Sequence, residues 1–153
     1  MRQAVMVSPG KIEFRDVPTP EPARGQVLVK IHRIGICGSD IHVYHGKHPY
    51  TSYPVVQGHE VAGEIVERGA GVKGLAAGDR VTIQPQVTCG GCYACRHGQY
   101  HICDNLKVMG FQTNGAAQEY FPVKVHRVLK LPDSISLDQA AMIEPVSVAV
   151  HAL

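Results

Sequence analysis

No stretch of this chain approaches the roughly 20 apolar residues that a membrane-spanning helix needs. The N-terminus, Met1 to Pro9, breaks at Pro9 before a signal-peptide core can form. Charge of one sign is equally scarce. With 15 basic and 13 acidic residues the formal net charge is +2, and no basic run exceeds two residues. That excludes the electrostatic footprint of a nucleic-acid or polyanion binder. Cysteine outside one cluster is down to a single residue, so the expected location is a reducing one, the cytoplasm. The 153 residues suffice for one domain with a real hydrophobic core.

What is present is concentrated. Cys89, Cys92, Cys95 and Cys103 follow C-x2-C-x2-C-x7-C. Four thiolates this close make a tetrahedral zinc site, with Gly90, Gly91, Tyr93 and Ala94 as spacers that let the backbone curl. Ferredoxin-type clusters also begin C-x2-C-x2-C but continue x3-C-P, whereas here the fourth cysteine comes seven residues on and Asp104 follows it. Disulfides are disfavoured, because sulfurs two residues apart seldom reach the required geometry. A closed four-sulfur site has no open coordination position, so this zinc is expected to be structural.

The first two thirds of the chain read as β-structure. Strands are expected over Gln3 to Val7, Lys11 to Asp16, Gln26 to Ile34, Val61 to Glu67, Arg80 to Gln84 and Glu119 to His126, with Gly and Pro turns between them. In the third, Val27, Val29 and Ile31 share a face opposite Lys30 and His32. Between Gln84 and Glu119 lies a lobe of little regular pattern that a metal would organise. The fold class is mainly β and barrel-like. Ser136 and Gln139 form a capping box for a short helix through Ile143, and Pro145 suits the first turn of a second helix running to Leu153. That helical pattern stops without a cap, as expected of a truncated chain.

Gly69-Ala70-Gly71-Val72-Lys73-Gly74 matches G-x-G-x-x-G. A dinucleotide fingerprint also needs a helix opening at its last glycines, and here Gly78-Asp79 and a strand follow instead. The expected structure is a plain glycine-rich turn. A second metal signal is more informative. Cys37 lies in Gly35-Ile36-Cys37-Gly38-Ser39-Asp40-Ile41-His42, and Gly58-His59-Glu60 comes 22 residues later. One thiolate, one imidazole and one carboxylate suit a zinc that keeps a position for substrate, although a lone cysteine and a distant histidine are more often a buried thiol and an ordinary ring. Neighbours on a regular strand face opposite ways, so His59 and Glu60 converge only if the backbone departs from ideal extension, which Gly58 permits.

These segments, with Gly78-Asp79-Arg80-Val81, the four-cysteine knuckle and Glu144-Pro145, occur in the order seen in medium-chain zinc-dependent alcohol and polyol dehydrogenases, which the whole chain resembles. The resemblance implies a GroES-like β-barrel over residues 1–153, with a structural zinc lobe at about 85–110. It also implies a linker helix at about 145–153, leading toward a Rossmann domain absent here. Cys37 and His59 then become catalytic zinc ligands. Members of the alcohol dehydrogenase type use a second cysteine where this chain has Glu144, so the match is nearer the sorbitol, threonine and sugar-acid branch. Glu60 is favoured as third ligand, with Glu144 as the alternative. Ser39 matches the hydroxyl that takes the substrate proton, His42 a relay further out, and Asp40 an acid that orients the zinc-bound imidazole.

Plainer roles exist for Ser39, as a helix cap, and for His42, as a solvated residue. His45, His48, Tyr50 and Tyr53 line a loop near this site and read as turn and surface residues. The implied reaction is oxidation of a small-molecule alcohol by NAD or NADP in a full-length, homo-oligomeric parent. The 153 residues alone are expected to bind up to two zinc ions without turning alcohol over. A scaffold module on the same barrel would need only the knuckle zinc.

Overall fold

A computed structural model describes Met1–Leu153. Nine strands and four short helices make up the chain. The strands are β1 (Arg2–Ser8), β2 (Lys11–Asp16), β3 (Gln26–Ile34), β4 (Val61–Arg68), β5 (Arg80–Ile83), β6 (Gln86–Val87), β7 (Lys107–Val108), β8 (Tyr120–Lys124) and β9 (Val128–Lys130). The helices are α1 (Gly38–Tyr44), α2 (Tyr93–Arg96), α3 (Leu137–Ala141) and α4 (Ile143–Ala152). None is long and apolar enough to cross a membrane.

The main sheet is five-stranded, in the order β8-β3-β4-β5-β9. β3 is an interior strand, between β8 and β4, and its β-branched residues fill a pleated, buried surface well. Val27 and Val29 are fully buried, and Val29 pairs with Ile65 on one side and Phe121 on the other. Leu28, on the opposite face, is also buried, so the start of this strand is covered on both sides and not on one, as strict alternation would have it. Val27, Val29, Val61, Ile65, Val81 and Val123 form the heart of the core. The β1–β2 hairpin leans across the sheet through bridges Gln3↔Gln118 and Met6↔Val55, which gives the fold its barrel form.

The expected strands are all present, to within a residue or two at their ends. β9 is an addition, separated from β8 by a 3-10 turn at Val125–Arg127. Gly69 to Gly74 is a connection between β4 and β5, with no helix at its end. Ser136 Oγ accepts from the Gln139 N–H, and Gln139 Oε1 accepts from the Ser136 N–H, completing the expected capping box. α4 begins at Ile143, two residues ahead of Pro145, so the proline lies in the first turn where its missing N–H costs nothing.

The lobe between β5 and β8 carries more regular structure than its sequence pattern announces. β6 and β7 pair as an antiparallel hairpin at its base, α2 follows Cys92, and a 3-10 turn spans Tyr100–Ile102. These pieces are too short for periodicity to reveal. Arg127 closes the base. Its guanidinium, 8% exposed, donates to the carbonyls of Gln84 (2.9 Å) and Pro85 (3.2 Å) and lies 3.4 Å from Met109 Sδ. Burial pushes its pKa below the ordinary value, and no carboxylate pairs with it. Replacing Arg127 by methionine strands the Gln84 carbonyl, while the Pro85 carbonyl keeps the Met109 N–H at 3.1 Å, so we expect a loss of about 1–3 kcal/mol and a melting temperature lower by about 3–10 °C. A thermal melt followed by circular dichroism checks this, and an unchanged melt refutes it.

Candidate metal centres

Cys37 is the N-cap residue of α1, in extended conformation (φ −75°, ψ 154°). The helix starts here because Asp40, at its third position, accepts the Cys37 N–H at 3.0 Å and places negative charge in the first turn. Ser39 is therefore inside the helix and not its cap. Val43 anchors the far side of α1 in a small cluster with Met6, Val55 and Phe111.

His59 and Glu60 lie immediately before β4, outside the regular strand. Gly58 has φ +93°, a left-handed turn that breaks the extended backbone just before His59 and Glu60. The same stretch is pinned from behind by three backbone bonds: Gly115 N–H to Val56 O (2.6 Å), Ala117 N–H to Gln57 O (2.8 Å) and Ala116 N–H to Gly58 O (2.9 Å). The approach is so close that a Cβ on Gly115 would overlap the Gly58 carbonyl oxygen.

With the backbone held this way, one donor atom each from Cys37, His59 and Glu60 lies within 4.8 Å of the others. His59 is 5% exposed and Glu60 7%, with Cys37 half-buried. The imidazole and carboxylate are buried and the thiol half-buried, with no Lys or Arg paired to them, so a cation among them would offset the cost of burying the Glu60 charge. The donor set fits zinc, and three protein ligands leave one tetrahedral position open.

Asp40 is buried beside this cluster. Its carboxylate takes the Cys37 N–H and the Gln57 amide (3.0 Å), and its Oδ1 lies 3.8 Å from His59 Nδ1. That distance exceeds a hydrogen bond, and Nδ1 is buried without a partner. Acids that orient a ligating imidazole are worth about 10–100-fold in metal affinity. Replacing Asp40 by alanine should therefore weaken a metal ion at Cys37 by about that factor and leave the knuckle ion untouched. Competition with a chromophoric chelator measures both affinities, and equal weakening of the two would refute the assignment.

Ser39 and His42 occupy positions i and i+3 of α1 and so share a helix face next to Cys37. Ser39 is half-buried and His42 exposed. Glu144, in the first turn of α4, stands outside the three-donor cluster, on the wall of a cleft of about 450 Å³. Burial raises its pKa, the Glu60 charge adds to the rise and His59 opposes it, so its carboxylate lies within electrical reach of both.

Sequence reasoning missed Phe111. Its ring tilts against His59 with centroids 5.0 Å apart, and His48 stacks on it at 4.6 Å and 12°. His48, read as a surface residue, is held there by Thr51 Oγ1, 2.7 Å from its Nδ1. Burial first, and the neighbouring His42 second, lower its pKa. No local pattern reveals this column, because Phe111 is far along the chain from both His48 and His59.

The four-cysteine group converges as its spacing predicts, with one sulfur from each residue within 4.8 Å of the rest. Cys92 caps α2 and its sulfur accepts the Cys95 N–H at 3.4 Å, while Cys103 sulfur accepts the Cys89 N–H at 3.4 Å. Backbone N–H groups of Gly91 and Cys92 pull Cys89 down to about 6, whereas burial and the adjacent thiols push Cys95 up to about 12. Four thiolates this close carry a negative charge that a divalent cation bound among them would neutralise.

Comparison with known proteins adds to this geometry. Residues 23–133 match the alcohol dehydrogenase GroES-like domain. The chain is 44% identical over 141 residues to an L-threonine 3-dehydrogenase of Pyrococcus abyssi, covering 90% of this chain and 40% of that protein. It is 39% identical over 156 residues to a sorbitol dehydrogenase of Bacillus subtilis, covering 99% and 44%. Its fold superimposes with a TM-score of 0.91 on an alcohol dehydrogenase, RspB of Escherichia coli CFT073, complexed with NADH, at 37% identity and 98% and 44% coverage. The chain thus spans less than half the length of these relatives.

Proposed function

Because the chain belongs to the medium-chain zinc-dependent alcohol dehydrogenase family, we propose that it is the zinc-holding catalytic domain of a dehydrogenase that oxidises a secondary alcohol, polyol or sugar acid with NAD or NADP. One observation carries this reading: Cys37, His59 and Glu60 converge in a buried cluster with no other charge compensation. Residues 1–153 act as one GroES-like unit, with the lobe at about 85–110 as its structural zinc site and the helix from about 145 leading onward to the nucleotide domain.

Cys37, His59 and Glu60 hold the catalytic ion, and Cys89, Cys92, Cys95 and Cys103 the structural one. A zinc ion bound at the first set supplies Lewis acidity that lowers the pKa of an alcohol in its open position. Ser39 Oγ accepts the proton that the substrate hydroxyl loses, and the His42 imidazole, exposed one turn along, passes it to water. Asp40 keeps the His59 ring in register. Phe111 and His48 wall the imidazole from bulk water. The full-length protein is read as a cytoplasmic homo-oligomer acting on small molecules.

The test is metal content first. A dehydrogenase domain holds two zinc ions per chain, whereas a scaffold on the same barrel holds one, and a measured ratio of one refutes the enzymatic reading. A panel of threonine, polyols and sugar acids, run on the full-length protein with NAD and with NADP, then identifies the substrate.

A further inference from the structure

Gly35 lies between β3 and Cys37, and its backbone conformation does not require glycine, since its φ is not positive. Space does. A Cβ on residue 35 would overlap Glu60 Oε2 and come within 2.9 Å of Glu60 Cβ and 3.2 Å of Cδ. The two residues cannot simply part, because the Gly35 N–H donates to the Glu60 carbonyl at 2.7 Å. The Glu60 carboxylate therefore fills the place where any other residue would carry its side chain. A second carboxylate, Glu144, lies in the first turn of α4 outside the three-donor cluster, where the charges of His59 and Glu60 act on it.

We propose that Gly35 is the positioning residue that decides which carboxylate completes the metal site: glycine seats Glu60 beside Cys37 and His59, and a side chain at position 35 passes the place to Glu144. This rests on the reading of Cys37 and His59 as metal ligands. Gly35 touches neither substrate nor ion and acts through Glu60 alone.

The experiment is a Co2+ titration of the whole chain with the knuckle already filled by zinc. The thiolate-to-cobalt absorption reports binding at Cys37 and needs no turnover. In the parent, Glu60→Gln is expected to weaken Co2+ by about 30-fold or more and Glu144→Gln by less than about threefold. In the Gly35→Ala background the order reverses: Glu144→Gln costs about tenfold or more, and Glu60→Gln adds less than about threefold. A Gly35→Ala chain in which Glu60→Gln remains the more damaging change overturns the inference and leaves the metal reading intact. A parent that takes up no second ion overturns both. Should Gly35→Ala alone fail to fold, Gly35→Ala/Glu60→Gly decides. Refolding with Co2+ binding that depends on Glu144 supports the proposal, and failure to refold refutes it.

Discussion

On the dehydrogenase reading proposed above, Cys37→Ser in the full-length protein is expected to lower kcat/KM by about 10³-fold or more, with the chain retaining one zinc ion in place of two. Cys37 provides one of three donors, and a serine hydroxyl does not ionise at neutral pH to replace a thiolate. Lewis-acid stabilisation is worth several kcal/mol, and about 4 kcal/mol corresponds to about 10³ in rate. The loss should be confined to the site. Cys37 caps α1 through its backbone N–H, which Asp40 accepts, and serine preserves that bond. Far-UV circular dichroism and the melting temperature should stay close to those of the parent while zinc analysis and steady-state kinetics change together. Undiminished activity, or loss of the knuckle ion instead, would remove Cys37 from the catalytic site.

The second large effect is local. In Cys103→Ser the knuckle loses its fourth sulfur, and amide protection in residues 85–110 should fall by about 10³-fold or more. The lobe has almost no core of its own: Ala94, Cys95 and Cys103 are buried, while Tyr93, Tyr100 and Ile102 are exposed. Structural zinc contributes about 10–16 kcal/mol to a folded knuckle, which exceeds what so few apolar contacts can supply. The strands β3 and β4 should keep their protection, because their core lies in the barrel. Hydrogen exchange read by mass spectrometry, with chelator-treated parent as the comparison, checks both halves. Equal protection of the lobe with and without metal would show that packing, not zinc, holds it.

The six longer strands were legible because each carries its own evidence: β3 alternates β-branched residues between Pro- and Gly-bounded turns, and the Ser136–Gln139 box marks α3 within four residues. The knuckle was legible for the same reason, since its four donors lie close in sequence. The convergence of Cys37 with His59 and Glu60 was only weakly legible, because 21 residues and a helix intervene: the donor types suit zinc, and resemblance to a family strengthened the link. Gly58 hinted at the backbone turn that the convergence requires. Phe111 and Arg127 had no sequence signal, and Gly35 stood in the Cys37 segment with nothing to show the space it leaves. Each matters through a neighbour far along the chain: Phe111 through His59, Arg127 through Gln84 and Pro85, and Gly35 through the space taken by Glu60.

The Arg127 clamp has a bearing on engineering. It gathers the outgoing backbone at Gln84–Pro85 and the returning side chain of Met109 onto one guanidinium, so the lobe leaves and rejoins the barrel at a single fastened neck. A neck of that kind isolates the inserted segment from the sheet that carries it. Loops of other lengths, or a different metal-binding module, should be graftable between Pro85 and Met109 without re-registering β5 or β9, provided that Arg127 stays.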